Sequence, residues 1–414
     1  MSAAVAPAAG DRADVLDALR GFALLGILIT HVPDFTGYNY LSEPQRALLD
    51  PLGIDPSVAS AVVLIIREKF LSLFSLLFGI SFAVQLDSAI QRGAAFRVRF
   101  GRRLAALFVI GAAHAAIWYG DILKDYAVLG LALLLVSRWP VRRIAIAAGV
   151  FLAARLAWPS LVYWIASAVG AGHGGGAAPA QAFAEGVAGL SQGPGAFFRQ
   201  NFGLVVLKAE QMIYEGRFLV ILTMFFIGAC IGKLRLYRNL AQHRRLLAWV
   251  LVVCGPVGAA ANLALIPFEH DTNAFPPTRD WVAFQTLVAI AAPALCLAYA
   301  SAFSLVWLAI KGGVLRVLAP VGRTALTSYV SQTLVLTIAF EFLGLGRGLG
   351  AAGCVAVAIV IFAAQCGLAW AWLQRFQYGP LEWVWRCATY AELIDIRRAS
   401  RAPAVAAGSG TGAL

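Results

Sequence analysis

Three side chains carry the types and spacing that acid–base chemistry needs: His31, His114 and Asp121. His114 and Asp121 frame His114-Ala115-Ala116-Ile117-Trp118-Tyr119-Gly120-Asp121, a separation of two helical turns, so they share a face wherever the helix persists to Gly120. A carboxylate beside an imidazole fixes its tautomer and stabilises its protonated form, which is what a general base requires. The alternative is a polar turn in which Asp121, Lys124 and Asp125 are simply solvated. His31 pairs by spacing with Arg20. Eleven positions at ~100° each come to about three turns plus 20°, which places both on one side of a helix about 16 Å apart. A lone His at such a position also serves as a satisfied helix-packing group.

Softer candidates follow. Arg155 interrupts an apolar stretch and needs a carboxylate, a carbonyl or an anionic ligand, unless its stem carries the charge out to the interface. Glu215 and Arg217 stand two residues apart, where they can bind substrate or pair with each other. Thr324, Thr327 and Ser331 form a hydroxyl stripe beside Gln332, and such stripes serve helix–helix hydrogen bonding more often than a substrate path. Thr327 and Gln332 are kept as substrate-binding candidates. Cys230, Cys254, Cys296, Cys354, Cys366 and Cys387 show no paired short spacing and read as small apolar packing residues, so neither a metal site nor a disulfide is expected. No serine elbow competes as a nucleophile.

The elements that must position these groups are membrane helices. Crossing ~30 Å of hydrocarbon takes about 20 residues, and apolar stretches approaching that length lie near 18–35, 69–86, 104–119, 122–137, 144–169, 216–232, 246–266, 281–308, 318–340 and 351–373. Alternate connecting segments are basic, beginning with Arg92, Arg97, Arg99, Arg102 and Arg103 and ending with Arg375 onward, whereas the other set is poor in cations. The expectation is an all-α polytopic bundle of about ten crossings with both termini cytoplasmic. A net charge of +12 is then topological, because the cations sit in short loops between apolar spans rather than on one soluble face, and a nucleic-acid partner is excluded. An apolar fraction of 60% with 13% charged residues is more than a soluble domain of this size can hide.

Ionisable groups inside a bilayer are costly, so those named above are functional candidates by default. The organisation expected is a loose N-terminal tail over 1–15, one membrane domain over 16–390 and a cytoplasmic tail over 391–414. The acidic N-terminus, with Asp11, Asp14 and Asp17, is unlike a signal peptide, so the first apolar block is expected to be retained. The external segment, about 170–215, opens Gly-rich and mobile. It continues with Phe197, Phe198, Phe202 and Leu204 interleaved with Arg199 and Lys208, which reads as an outer-leaflet interfacial helix and lid or as a plain structured loop. Past the last span, Tyr378, Trp383 and Trp385 favour the headgroup level, with Glu382 spaced to pair with Arg386, so this block is expected to dock the tail on the inner face.

Several blocks, in order over essentially the whole chain, resemble the YeiB-like bacterial membrane proteins. They are Leu16-Asp17-Ala18-Leu19-Arg20-Gly21-Phe22, Lys69-Phe70 with Leu73-Phe74-Ser75-Leu76-Leu77-Phe78-Gly79, His114 with Gly120-Asp121-Ile122-Leu123, Gly322-Arg323-Thr324-Ala325-Leu326-Thr327-Ser328-Tyr329, and Gly379-Pro380-Leu381-Glu382-Trp383. That family is similar in topology to transmembrane acyltransferases, including acyltransferase family 3 and the heparan-α-glucosaminide N-acetyltransferases, which move an acyl group from cytoplasmic acyl-CoA to an acceptor across the membrane. In family 3 an Arg or Lys and a His spaced as Arg20 and His31 are mark the first span, whereas most YeiB-like chains carry Asn at the position of His31. The resemblance implies acyl transfer in the bacterial cytoplasmic membrane. Acyl-CoA would be the donor, Arg20 the group at its entry, His31 or His114 the base and Asp121 its orienting partner. The acceptor would be a hydroxyl or amine on a small molecule, lipid or glycan. A transporter or flippase using the same polar groups as a binding site, and a non-catalytic scaffold, are the alternatives.

Overall fold

The computed structural model describes residues 9–91, 96–169, 194–271, 276–345 and 348–397. The expected disorder of the extreme termini and of the Gly-rich stretch 170–176 lies outside these residues. The described residues are helical, with no strand beyond an isolated backbone bridge between Phe376 and Arg397. The reason is elementary: hydrocarbon offers peptide groups no water, and a helix satisfies them within one segment. In chain order the main helices are α1 (Ala9–Phe35), α2 (Asp55–Ile65), α3 (Lys69–Gln91), α4 (Phe96–Ala115), α5 (Leu123–Leu135), α6 (Val141–Ala168) and α7 (Pro194–Tyr214). They continue as α8 (Arg217–Lys233), α9 (Arg244–Leu263), α10 (Arg279–Ala309), α11 (Ala325–Leu336), α12 (Ala351–Arg375) and α13 (Pro380–Tyr390).

Each expected crossing overlaps a helix, although 104–119 runs past the end of α4 at Ala115. The stretch 318–340 is interrupted, however. A short helix, Ala319–Arg323, stops at Thr324, α11 resumes, and its end widens into a π-helical turn, Thr337–Phe342. By length and apolar composition α1, α6, α9, α10 and α12 can each cross a membrane, and α7 with α8, bent by 70°, forms a broken span or a re-entrant loop. The bend falls at Gly216, whose φ of +68° suits glycine. Trp158 stabilises it by donating its indole N–H to the last carbonyls of α7, Ile213 at 2.8 Å and Tyr214 at 3.2 Å.

Burial runs as lipid solvent requires. α1, α3 and α8 form the centre, with Leu24, Leu28, Leu73, Leu77 and Phe225 almost wholly enclosed. α6, α9 and α12 turn Trp164, Trp249, Val252, Val360 and Trp370 outward as an apolar surface. α3 and α8 approach through glycine. A Cβ on Gly79 would stand 2.1 Å from the Phe225 carbonyl oxygen, and one on Gly228 2.1 Å from that of Leu76. Asp55, buried at the start of α2, accepts the N–H groups of Ala351 at 2.7 Å and Ala352 at 3.0 Å, and so caps α12 from a distant part of the chain.

Two expectations need correcting. α1 begins at Ala9, within the residues expected to form a loose tail, its polar first turns, Gly10-Asp11-Arg12-Ala13, leading into the apolar stretch Asp14–Phe35. Glu382 does not serve Arg386. Its carboxylate accepts the N–H groups of Leu326 at 2.6 Å and Thr327 at 3.1 Å and the Thr327 hydroxyl at 2.5 Å, while the Arg386 guanidinium lies over the Tyr378 ring at 4.4 Å. Unpaired peptide N–H groups at a helix start outbid a surface cation for a carboxylate. The block still docks. The Trp385 indole donates to the Arg103 carbonyl at 2.7 Å, that of Trp383 donates to Ile394 at 2.6 Å, and the chain folds back as far as Arg397.

Candidate functional site

The centre of the site is a buried histidine–aspartate pair at the joint between α4 and α5. α4 ends at Ala115, and the carbonyl of His114 closes the turn by accepting the N–H groups of Ile117 and Trp118 at 2.9 Å each. The helix therefore does not persist to Gly120, and the turn brings Asp121 back beneath the histidine. Gly111 permits the tight hairpin, since a Cβ there would stand 2.4 Å from the Lys124 nitrogen. Asp121 Oδ1 lies 2.8 Å from His114 Nδ1, and Oδ2 accepts the Lys124 N–H at 2.9 Å near the start of α5. Each residue is only 2% exposed. A carboxylate can only accept, so Nδ1 carries a proton, and in the neutral ring Nε2 presents a lone pair. Among the described residues Nε2 has no hydrogen-bond partner. Lys124 is turned aside, its ammonium bound to the Asp121 carbonyl at 2.9 Å and to Asp125 at 3.1 Å.

Both histidines belong to one aromatic cluster. The His31 ring lies 4.3 Å from Trp118 and 6.1 Å from Tyr329, and the His114 ring 5.1 Å from Tyr329 and 6.1 Å from Trp118. His31 is half-buried on the last turns of α1. The Tyr329 hydroxyl is buried beside the backbone of Ile122. α7 covers this end. It buries Phe197, Asn201 and Leu204 and leaves Phe198 and Phe202 exposed, while the Asn201 amide donates to the Ala115 carbonyl at 2.6 Å. Between them lies a small pocket lined by Asp34, Trp118, Tyr119, Phe197, Asn201 and Glu341. Tyr40 reaches over from the connecting segment to Tyr119, hydroxyl to hydroxyl at 2.9 Å, and burial pushes its own hydroxyl well above the ordinary tyrosine range, so it stays neutral.

The other candidates fall elsewhere. Arg20 is held by Asp17 and by the Ser81 hydroxyl at 2.8 Å, on the flank of α1 that meets α3. Glu215 and Arg217 do pair, at 2.5 Å, and Arg217 also binds Glu68 at 3.0 Å. Arg155 is 1% exposed and donates to the Gln285 amide oxygen at 2.9 Å. Arg155, Glu215, Arg217 and Gln285 line a second cleft with Arg67, Glu68 and Lys69. Thr327 is taken up by Glu382 and by the Leu381 N–H at 3.0 Å. Gln332 donates to Gln365 at 2.8 Å, and Gln365 donates to the Ser331 hydroxyl at 3.0 Å, which is helix–helix bonding between α11 and α12. Sequence reading passed over Trp118, Asn201, Tyr329 and Gln285 as site residues. A signal existed only for Gln285, a lone amide in an apolar helix, and for the charged triplet Arg67-Glu68-Lys69 opening an apolar span.

Fold and site together define an all-helical membrane protein with buried ionisable groups at one end of its bundle. The family model described as "Protein of unknown function (DUF418)" matches residues 231–392. The chain is 30% identical over 408 residues to the uncharacterized protein YxaH of Bacillus subtilis (strain 168), covering 92% of this chain and 94% of that one. It is 29% identical over 411 residues to the uncharacterized protein YeiB of Escherichia coli (strain K12), covering 92% and 96%. The chain belongs to this YeiB-like family. No solved structure matches it.

Proposed function

We propose that the protein is a membrane-bound acyltransferase that crosses the bacterial cytoplasmic membrane about ten times with both termini inside. It would carry an acyl group from cytoplasmic acyl-CoA to a hydroxyl or amine acceptor at the other face. The observation that supports this reading is the buried His114–Asp121 pair, with Nδ1 on the carboxylate and Nε2 free for a proton. In that role Nε2 takes the acceptor's proton as its oxygen or nitrogen attacks the thioester carbonyl. The C–S bond then breaks, and the leaving thiolate regains a proton from the imidazolium. Asp121 holds the tautomer and stabilises the imidazolium, while His31 and Tyr329 wall the reacting groups. The donor's phosphates would meet Arg97 and Arg102, exposed at the start of α4, with Arg20 already positioned by Asp17 and Ser81. The alternative, a transporter or flippase, draws its support from the second cleft.

The test is thiol release from acyl-CoA in proteoliposomes holding the full chain, beside glycan, lipid and metabolite profiling of a deletion strain. Asp121→Asn keeps the shape but leaves the wrong imidazole tautomer, and is expected to slow transfer by about 10²–10⁴-fold. His114→Ala should abolish it. A His114→Ala protein with normal turnover would end the proposal.

A further inference from the structure

The cleft between the start of α3, the middle of α6, the start of α8 and the first turns of α10 has a charge imbalance that acyl transfer does not use. Four cations, Arg67, Lys69, Arg155 and Arg217, line it against two carboxylates, Glu68 and Glu215. Arg217 engages both carboxylates, and Gln211 donates to Glu215 at 2.6 Å as well. The ammonium of Lys69 is bound to the Val63 carbonyl at 2.8 Å. Arg155 is left with a neutral amide as its partner. Its Nε and Nη1 are buried with no hydrogen-bond partner among the described residues, and these atoms carry three of the five N–H donors of a guanidinium. A guanidinium does not shed its proton, so a buried one with open donors is expensive unless an anion arrives to meet it.

We infer that this cleft is a binding site for a phosphate group, with Arg155 as its principal donor and Arg67 as a second cation at the rim. A phosphate suits it better than a single carboxylate. A monoester or free phosphate brings up to two negative charges against the excess of two positive ones and at least three oxygens against the three open donors, and a diester headgroup still brings one charge and two free oxygens. The phosphate belongs either to a soluble metabolite or to a phospholipid headgroup entering between the helices. The inference stands apart from the acyl-transfer proposal, since it uses neither histidine and its readout is binding.

The experiment uses the full chain in detergent and in phosphatidylcholine nanodiscs. Inorganic phosphate is titrated at constant ionic strength against chloride while thermal unfolding is followed. In parallel, phosphatidylglycerol is added to the nanodiscs and its retention is read by native mass spectrometry. Saturable stabilisation by inorganic phosphate assigns a soluble ligand, and retention of phosphatidylglycerol without it assigns a headgroup. In either case Arg155→Met should weaken binding at least about tenfold, the loss of a charge-assisted contact. Arg67→Gln, at a half-buried and more forgiving position, should weaken it about threefold and decides the matter if Arg155→Met does not fold. Absence of saturable binding of both probes, or affinities unchanged in the substituted protein that folds, overturns the inference.

Discussion

Glu382→Ala isolates a single device, the carboxylate by which α13 caps α11. The substitution strips partners from the N–H groups of Leu326 and Thr327 and from the Thr327 hydroxyl, which keeps only its contact with the Leu381 N–H. A buried donor left unpaired costs about 1–3 kcal/mol, so two peptide groups set an upper figure of about 6 kcal/mol. Thr327 is only partly buried and water can reach it once α13 lifts, which brings the expected loss to about 3 kcal/mol. Glu382→Gln keeps an acceptor for the peptide groups and turns its amide toward the Thr327 oxygen, so it should lose less than about 1 kcal/mol. pH adds a second readout. Burial holds the Glu382 carboxyl above its ordinary value of 4.5, against the hydrogen bonds from Thr327 and Leu326 that pull it down. The folded state therefore binds this proton more tightly than the unfolded state does. Its contribution is fully present below the unfolded value, declines as pH rises through the folded one and is flat beyond. Glu382→Gln should remove that slope. The assay is thermal unfolding of the purified protein across pH, with limited proteolysis after Arg375 to report undocking of α13. Equal stability of Glu382→Ala and the parent, or equal losses in the Ala and Gln variants, would refute the capping argument.

Two further outcomes are expected. Gly228→Ala forces a methyl group into the Leu76 carbonyl of α3 and should cost about 2–3 kcal/mol in thermal unfolding. Gly149→Ala, on a helix face with nothing within 4 Å of the new methyl, should be neutral or stabilising by up to about 1 kcal/mol. Equal effects of the two would mean that α3 and α8 do not cross at Gly79 and Gly228. Cysteine labelling should find residues 96–103, 233–245 and the region after Arg375 accessible from the cytoplasm and residues 194–214 from outside. The cation asymmetry carries this expectation, and the reverse labelling pattern would remove the proposed donor entry as well as the topology.

Helical architecture was legible from the sequence because the bilayer leaves a long apolar segment a single way to satisfy its own peptide groups. The pairing of Glu215 with Arg217 and the convergence of His114 with Asp121 were legible too, since both rest on short separations. Their geometry was not. The His114–Asp121 contact was expected from a shared helical face and is made by a turn after Ala115, because Asp121 meets the peptide N–H of Lys124 as well as the imidazole. What only the tertiary structure decided are the partners drawn from distant parts of the chain: Trp118 and Tyr329 around both imidazoles, Asn201 on Ala115, Gln285 on Arg155, Asp55 on α12 and Glu382 on α11. Apolar periodicity states that a helix has a buried face but not which helix buries it. The packing partner is chosen by close approach at glycines such as Gly79 and Gly228, and a buried polar atom takes whatever donor or acceptor that packing delivers.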